Sequence, residues 1–411
     1  MIRSTLLALA IALTAQAAEP SPVATPPYYS VDYQASETPG ELGVAVTHTL
    51  WIPPGVKTLR GVIVHQHGCG ISSGVSGATA AYDQHWQALA QKWDCALLGP
   101  AYHLKKDTEC RKWCDPRNGS DSAFQKALSH FAEESKHPEL TTVPWCLWGH
   151  SGGGFWSSLM LTLHPERIAA IFYRSGSAYA IWERGEIPKP TLTPAVYEVP
   201  FLFIGGVKEA QDKSHGPARI GDRAMLKAWR EHGAPGGIAS DPLSGHECGD
   251  SRYLAIAFFD ACLAQRLSEP GNQTLKPAGK GVTIENSWLP DAKFAKTWAS
   301  FNSTGHPSDD TPPPAPTNVR LVNHELTWNA EADLESGLGG FIIEQDGKEI
   351  ARLPEKPVGK LGTPLFQGLS GGDTPILALP PMRFVVKDGH SYAIRSVNAV
   401  GLASSPTSSK P

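Results

Sequence analysis

Trp145-Cys-Leu-Trp-Gly-His-Ser-Gly-Gly-Gly-Phe155 is the stretch on which the reading turns. Its first four residues form a short apolar run of strand type, and Gly152–His164 has helical spacing. Between them Gly149-His150-Ser151-Gly152-Gly153 fits G-x-S-x-G. A tight strand-to-helix turn needs neighbours without bulk, and it leaves the central serine exposed at the strand's C-terminal end. The helix N-terminus beneath that serine favours developing negative charge. A bare G-x-S-x-G is weak evidence, but strand before and helix after give it a structural context. The competing reading is a glycine-rich turn with an idle serine.

Outward from this turn the chain alternates apolar strands and helical stretches. Strands are expected at Val44–Ile52, Leu59–Val64, Cys95–Leu98, Trp145–Trp148, Ile168–Tyr173 and Phe201–Ile204. Helices are expected at Tyr82–Trp93, Ser120–Ser135, Gly152–His164, Arg223–His232 and Tyr253–Leu267. This alternation calls for a mostly parallel sheet with helices on both faces. Near residue 270 the pattern stops. A helical piece, Asp291–Phe301, precedes a polar stretch containing Pro312-Pro-Pro-Ala-Pro316, which reads as an extended spacer. Beyond it the period becomes two, at Val319–Val322, Glu325–Trp328, Gly340–Glu344, Glu349–Leu353 and Tyr392–Val397. Asp346-Gly347 is a hairpin signal. About 95 residues so arranged suit a small β-sandwich. The expected divisions are a signal peptide at 1–17, a catalytic domain at 18–301, a linker at 302–316 and a sandwich at 317–411.

The signal peptide rests on Arg3, the apolar run Leu6–Leu13 and the small-x-small site Ala15-Gln-Ala17. It implies export to the periplasm or the exterior, with no membrane insertion, because the run is too short to span. The 411 residues carry 40 glycines and 35 prolines, which excludes a long helical or coiled-coil protein. A 41% hydrophobic content excludes a disordered chain. A net charge of −4 leaves no footprint for nucleic acid. Seven cysteines in an exported chain permit disulfides, and at least one must stay outside an intramolecular pair. Cys110 and Cys114 are open to pairing with each other or with distant partners. Cys95 and Cys146 read as buried thiols.

The strand Gly61–Val64 runs into His65-Gln-His-Gly-Cys-Gly70, where a second oxyanion donor is placed in a serine hydrolase of this build. The two donors are expected at the N–H groups of Cys69 and Gly152, with Gly70 as the alternate. His65-x-His67, aided by Cys110 and Cys114, is a weak zinc reading, because no H-E-x-x-H or paired C-x-x-C frames it. No metal or cofactor is expected. The base should lie late, and Ser244-Gly-His246-Glu247 enters the last helix of the domain. The acid should follow Phe201–Ile204. Glu209 is favoured, Asp212 is the alternate, and Glu183 is a third option.

The segment Val44–Leu267 resembles the α/β-hydrolases, and more narrowly the exported bacterial serine esterases related to polyhydroxyalkanoate-depolymerase-like and dienelactone-hydrolase-like enzymes. The resemblance is carried by HQHGCG (65–70), GHSGGG (149–154) and GHE (245–247). It implies two-step acyl transfer, with Ser151 as nucleophile, His246 as base and then acid, and Glu209 as the residue that orients His246. The family more often has aspartate at the last position. The tail resembles a fibronectin type III domain through Leu326–Ala330, Phe341–Ile350 and Ser391–Ser404, and that resemblance implies a tyrosine corner at Tyr392.

Substrate contacts are expected from Tyr102, Trp113, His150, Phe155, Tyr179 and Trp182. The expected partner is a carboxylic ester, either an acylated polysaccharide (acetyl or feruloyl) or a polyester. A serine peptidase and a non-catalytic surface-binding protein with a degenerate core are the alternatives.

Overall fold

A computed structural model describes residues 25–71, 80–354, 382–387 and 389–409. The expected signal segment and most of Pro354–Pro381 lie outside these residues.

Eight strands form the main sheet: β1 (Tyr28–Tyr33), β2 (Val46–Trp51), β3 (Gly61–Gln66), β4 (Cys95–Tyr102), β5 (Trp145–His150), β6 (Ile168–Arg174), β7 (Phe201–Gly206) and β8 (Gly236–Asp241). Their spatial order is β1-β2-β4-β3-β5-β6-β7-β8. β2 runs antiparallel to both β1 and β4, and every pairing from β4 to β8 is parallel. Two of these strands go beyond the sequence reading. Tyr28–Tyr33 precedes the first expected strand, in a stretch rich in proline, serine and threonine, and it is held by pairing along β2. Gly236–Asp241 (GGIASD) has two glycines and little apolar content, so its strand character comes from the parallel register with β7.

The helices are α1 (Gln84–Lys92), the single turn α2 (Arg111–Cys114), α3 (Ser120–Ser135), α4 (Gly152–Leu163), the short α5 (Tyr179–Glu183), α6 (Gly216–Glu231), α7 (Ser251–Arg266) and α8 (Ala292–Thr304). Successive residues of a strand point to opposite faces, and the sheet uses both. Val62, Val64, Leu147 and Phe203 enter a core layer with Phe124, Trp156, Leu159 and Trp229. Ile63, Trp148, Leu202 and Ile204 enter the opposite layer with Trp86, Leu254, Phe258 and Trp298. Truncating Trp156 to alanine inside such a layer costs about 3–5 kcal/mol. The start of α1 is fixed by Asp83, whose carboxylate accepts from the amides of His85 (3.0 Å) and Trp86 (3.3 Å). The same carboxylate pairs with Arg252 of α7 at 2.6 Å.

The order of strands reverses between β3 and β5. In open α/β sheets a crevice forms outside the carboxyl ends of the strands at that point. Here the residues at its mouth are the loop after Gln66 and the turn after His150.

After a small hairpin, β9 (Val282–Ile284) and β10 (Ser287–Leu289), the C-terminal unit contains β11 (Thr317–Val322), β12 (Glu325–Asn329), β13 (Gly340–Gln345), β14 (Lys348–Leu353), β15 (Arg383–Val385), β16 (Tyr392–Val397) and β17 (Thr407–Ser408). They make two antiparallel sheets, β11-β12-β15 and β14-β13-β16-β17. Leu326, Trp328, Phe341, Ile343, Tyr392 and Ile394 fill the space between them. The Tyr392 hydroxyl donates to the Lys387 carbonyl five residues upstream, at 2.8 Å. The expected spacer is fastened down. α8 runs on to Thr304, Asp309 accepts from Ser336 (2.6 Å) and Asn398 (2.9 Å), and Pro313 and Pro316 are buried. Extended proline geometry is thus used along a surface rather than through solvent. The sandwich meets α1 and α8 through His85 to the Leu334 carbonyl (3.0 Å) and Lys293 to Glu335 (3.1 Å). Among the described residues no helix is long and apolar enough to cross a membrane.

Candidate active site

Ser151 sits between the last residue of β5 and the first of α4 with φ 52° and ψ −114°. A non-glycine residue at positive φ is strained and persists only where its surroundings enforce it. They do so here. The Ser151 amide donates to the Arg174 carbonyl at 2.8 Å, and its carbonyl accepts from Phe155 at 3.0 Å. Gly153 lies so close to the Gln66 carbonyl at the end of β3 that any Cβ would collide with it.

Beside the turn lies the loop after β3. A Cβ on Gly152 would stand 3.3 Å from the Cys69 nitrogen, so these two backbone positions share one corner with Ser151. Gly70, the alternate donor, has φ 102°. Cys69 is joined by a disulfide to Cys110, which ties this loop to the one after β4. Of the two partners left open for Cys110, the structure takes the distant one. Cys95, Cys114, Cys146, Cys248 and Cys262 are buried and take part in no disulfide.

His246 lies in the loop between β8 and α7. Its Nδ1 stands 2.6 Å from Oε1 of Glu209, which occupies a 3-10 turn after β7. Carboxylates only accept, so Nδ1 carries the proton and the lone pair of the neutral ring is on Nε2. The other Glu209 oxygen accepts from Ser175 Oγ at 2.7 Å and lies 3.9 Å from the Arg174 guanidinium. Burial works to raise the Glu209 carboxyl. The hydrogen bonds from His246 and Ser175 and the nearby positive charges outweigh it and hold the group below its ordinary range.

Asp212 does not reach this arrangement. It accepts from the Ser214 amide at 2.7 Å and pairs with His215 at 2.7 Å, and the His215 ring stacks on His246 with centroids 4.0 Å apart. Glu183 pairs with Lys189 at 2.7 Å. Both are taken up by partners close to them in sequence.

Arg174 and Ser175 were missed by sequence reasoning. Arg174 is fully buried, and its guanidinium donates to the Gly245 carbonyl (2.8 Å), the Cys248 carbonyl (3.3 Å), Ser244 Oγ (3.0 Å) and the Glu247 carbonyl. It stitches the His246 loop to the end of β6. The available signal was a lone arginine ending the apolar run Ile168–Tyr173, since a charge is buried only when well bonded.

Ser151 opens onto a pocket of about 330 Å³ that Gly152, Phe155, Ile181, Arg111 and Arg184 also line. Of the six expected substrate contacts only Phe155 lines it. Tyr102 and Trp113 stack on each other at 4.4 Å inside the core. Trp182 is buried, and Tyr179 meets Trp182 and Trp229 edge-on. His150 is buried and donates from Nε2 to the His246 carbonyl at 2.7 Å. Tyr102, Trp113, Tyr179 and Trp182 thus serve one core layer, and the pocket rim carries arginines instead. Arg111 and Arg184 share Glu186, at 3.0 and 2.7 Å. A wider groove of about 780 Å³, lined by Pro165, Glu198 and Arg266, lies away from all these groups.

The strand order, the antiparallel β2 and the serine turn at the order reversal define an α/β-hydrolase fold, with an all-β unit at its C-terminus. No protein-family model matches the chain, and no curated protein does. Among solved structures it is similar to an S-formylglutathione hydrolase from Agrobacterium tumefaciens, at 15% identity, covering 58% of this chain and 93% of that one with a TM-score of 0.37. It is similar also to a dienelactone hydrolase from Anabaena variabilis (16%, 53% and 87%, TM-score 0.34) and an acetyl xylan esterase from Aspergillus awamori (13%, 50% and 82%, TM-score 0.34). Likenesses this remote say nothing about substrate.

Proposed function

We propose that the protein is a serine hydrolase that cleaves carboxylic esters through an acyl-enzyme. The observation that carries this reading is the 2.6 Å contact of Glu209 with Nδ1 of His246 at the same end of the sheet as the strained Ser151. In the proposed cycle Ser151 Oγ attacks the ester carbonyl carbon and gives its proton to Nε2 of His246. Charge develops on the carbonyl oxygen and is met by the N–H groups of Cys69 and Gly152, each worth roughly 3–4 kcal/mol of transition-state stabilisation. The C–O bond breaks as His246 returns the proton to the leaving alcohol. Water then attacks the acyl-serine by the same route, releasing the acid. Glu209 holds the required tautomer and offsets the charge of the imidazolium.

The pocket volume is near the low end for ligand sites, roughly 300–1,000 Å³. It suits a short acyl or single-ring aromatic acyl group on a larger alcohol such as a polysaccharide. The expected export fits such a substrate. For the C-terminal unit, the Tyr392 corner and the three-plus-four arrangement of strands support a fibronectin type III-like module that carries the enzyme at a surface.

The test is hydrolysis of p-nitrophenyl acetate and butyrate by the mature protein and by Ser151→Ala. Turnover that vanishes in the variant is expected. Equal rates in both, or turnover of peptide anilides in preference to esters, would overturn the reading.

A further inference from the structure

Three donor side chains converge behind the serine turn, each from a different part of the proposed machinery. His67 lies in the loop that carries Cys69. His150 precedes Ser151. Cys248 follows His246 by two residues. Their ligand atoms lie within 4.8 Å of one another, and all three residues are buried. We propose that His67, His150 and Cys248 bind one zinc-like divalent cation that staples these three loops together.

The chemistry of the donors supports this assignment. The His150 Nε2 donates to the His246 carbonyl at 2.7 Å, and a carbonyl can only accept. Nδ1 therefore carries the lone pair. It points toward the loop of His67, where it lies 3.4 Å from the position a Cβ on Gly68 would take. A ligating histidine whose other nitrogen is bonded to a backbone carbonyl is the usual outer-shell pattern of protein zinc sites. Cys248 is held from its own carbonyl by Arg174 at 3.3 Å. Two imidazoles and a thiolate suit zinc or a similar late transition metal, and not calcium or magnesium, which take oxygen ligands.

The spacing is close to what coordination requires. Zn–N of about 2.0 Å and Zn–S of about 2.3 Å place tetrahedral ligand atoms about 3.3–3.5 Å apart. From a separation of at most 4.8 Å the set closes by up to about 1.5 Å, within reach of side-chain rotation. Binding releases the Cys248 thiol proton to solvent, and a fourth position is left for water. His65 takes no part: its ring lies flat on Trp148 with centroids 3.9 Å apart. The pairing of His67 with His150 and Cys248 joins residues far apart in the chain.

The test reads metal and not activity, so it stands whether or not the ester reading does. The full chain, as wild type and as Ser151→Ala, is stripped with a chelator, incubated with excess zinc and dialysed, and its metal is then counted. One zinc per chain is expected in both, and less than a tenth of that in Cys248→Ser and in His67→Gln. Cobalt(II) in place of zinc should give a sulfur-to-metal charge-transfer band that Cys248→Ser loses. Cys262→Ser, which removes a buried thiol elsewhere, should keep both signals. Wild type that retains no stoichiometric metal, or Cys248→Ser that retains as much as wild type, overturns the proposal.

Discussion

Glu209 and His246 meet at 2.6 Å although 37 residues separate them. The contact is built from both sides. Glu209 is presented by the turn after β7, with Ser175 Oγ on its second oxygen. His246 is held by its own carbonyl to His150 and by the carbonyls that flank it to Arg174. The carboxylate is therefore ionised, buried and aimed at one nitrogen.

That arrangement separates the two acids by experiment. Glu209→Gln keeps the shape but permits the wrong tautomer of His246, and kcat on a p-nitrophenyl ester should fall on the order of 10⁴-fold. Asp212→Ala should stay within a few-fold of wild type, because Asp212 serves His215 and the turn at Ser214. Steady-state kinetics on both variants checks this. A large loss in Asp212→Ala with little in Glu209→Gln would reverse the assignment.

A second prediction concerns Gly152. A Cβ there would collide with Sγ of Cys69 and stand 3.0 Å from Sγ of Cys110. Gly152→Ala must push the disulfide and the loop of Cys69 away from Ser151. Losing the alignment of one oxyanion donor costs about 10²–10³ in kcat. KM should change less, since Phe155, Ile181 and Arg184 on the other walls of the pocket are not displaced. Equal losses of kcat and 1/KM would show that the pocket, and not the donor corner, had moved.

Much of the main sheet was legible because its strands are short apolar runs bounded by turns, and because the serine turn sits in the one context that gives it meaning. β8 was not legible, since GGIASD owes its extension to β7 rather than to its own composition. Glu209 and His246 could be read from their places after β7 and before α7. Their support by Arg174 could not, because it depends on which loops meet at the strand ends. Apart from Phe155, the expected pocket aromatics lie elsewhere for a related reason. Tyr102 and Trp113 flank the right loop in sequence, but a ring that large was needed to fill the layer beneath α3 and α4.

Asp222 gives a third prediction. It is buried in α6 beside the pocket residue Gly221, and its carboxyl is pushed up to about 8. Burial is the main cause, opposed by Ser177 and reinforced by the charge of Glu209. The folded form keeps a proton that the unfolded chain loses above about pH 3.9. Native protein thus binds more protons than unfolded protein between those values, and stability falls as pH rises through them by up to about 1.4 kcal/mol per unit. Asp222→Asn removes that term. Its melting temperature should exceed that of wild type at pH 8, and the difference should close as pH approaches 4. A constant difference across the range would mean that Asp222 is ionised in the fold.

The contact between the two units predicts the opposite slope. His85, buried on α1, donates from Nε2 to the Leu334 carbonyl and is lowered to about 3, chiefly by burial and further by Arg252. It is neutral in the fold, whereas an unfolded histidine binds a proton below about pH 6.5. Here the unfolded state holds more protons, so stability falls as pH drops from 6.5 toward 3, by up to about 1.4 kcal/mol per unit. Leu334 packs on the second core layer beside this bond, and its truncation to alanine should cost roughly 1–3 kcal/mol at neutral pH. Lys293→Ala, which breaks only the exposed pair with Glu335, should cost less than about 0.5 kcal/mol. Thermal melts of wild type, His85→Gln, Leu334→Ala and Lys293→Ala between pH 7 and 4 decide the matter. The acid slope should be shallower in His85→Gln and unchanged in Lys293→Ala. If all four slopes coincide, His85 is protonated or hydrated in the folded protein, and the seam between the units is looser than its hydrogen bond implies.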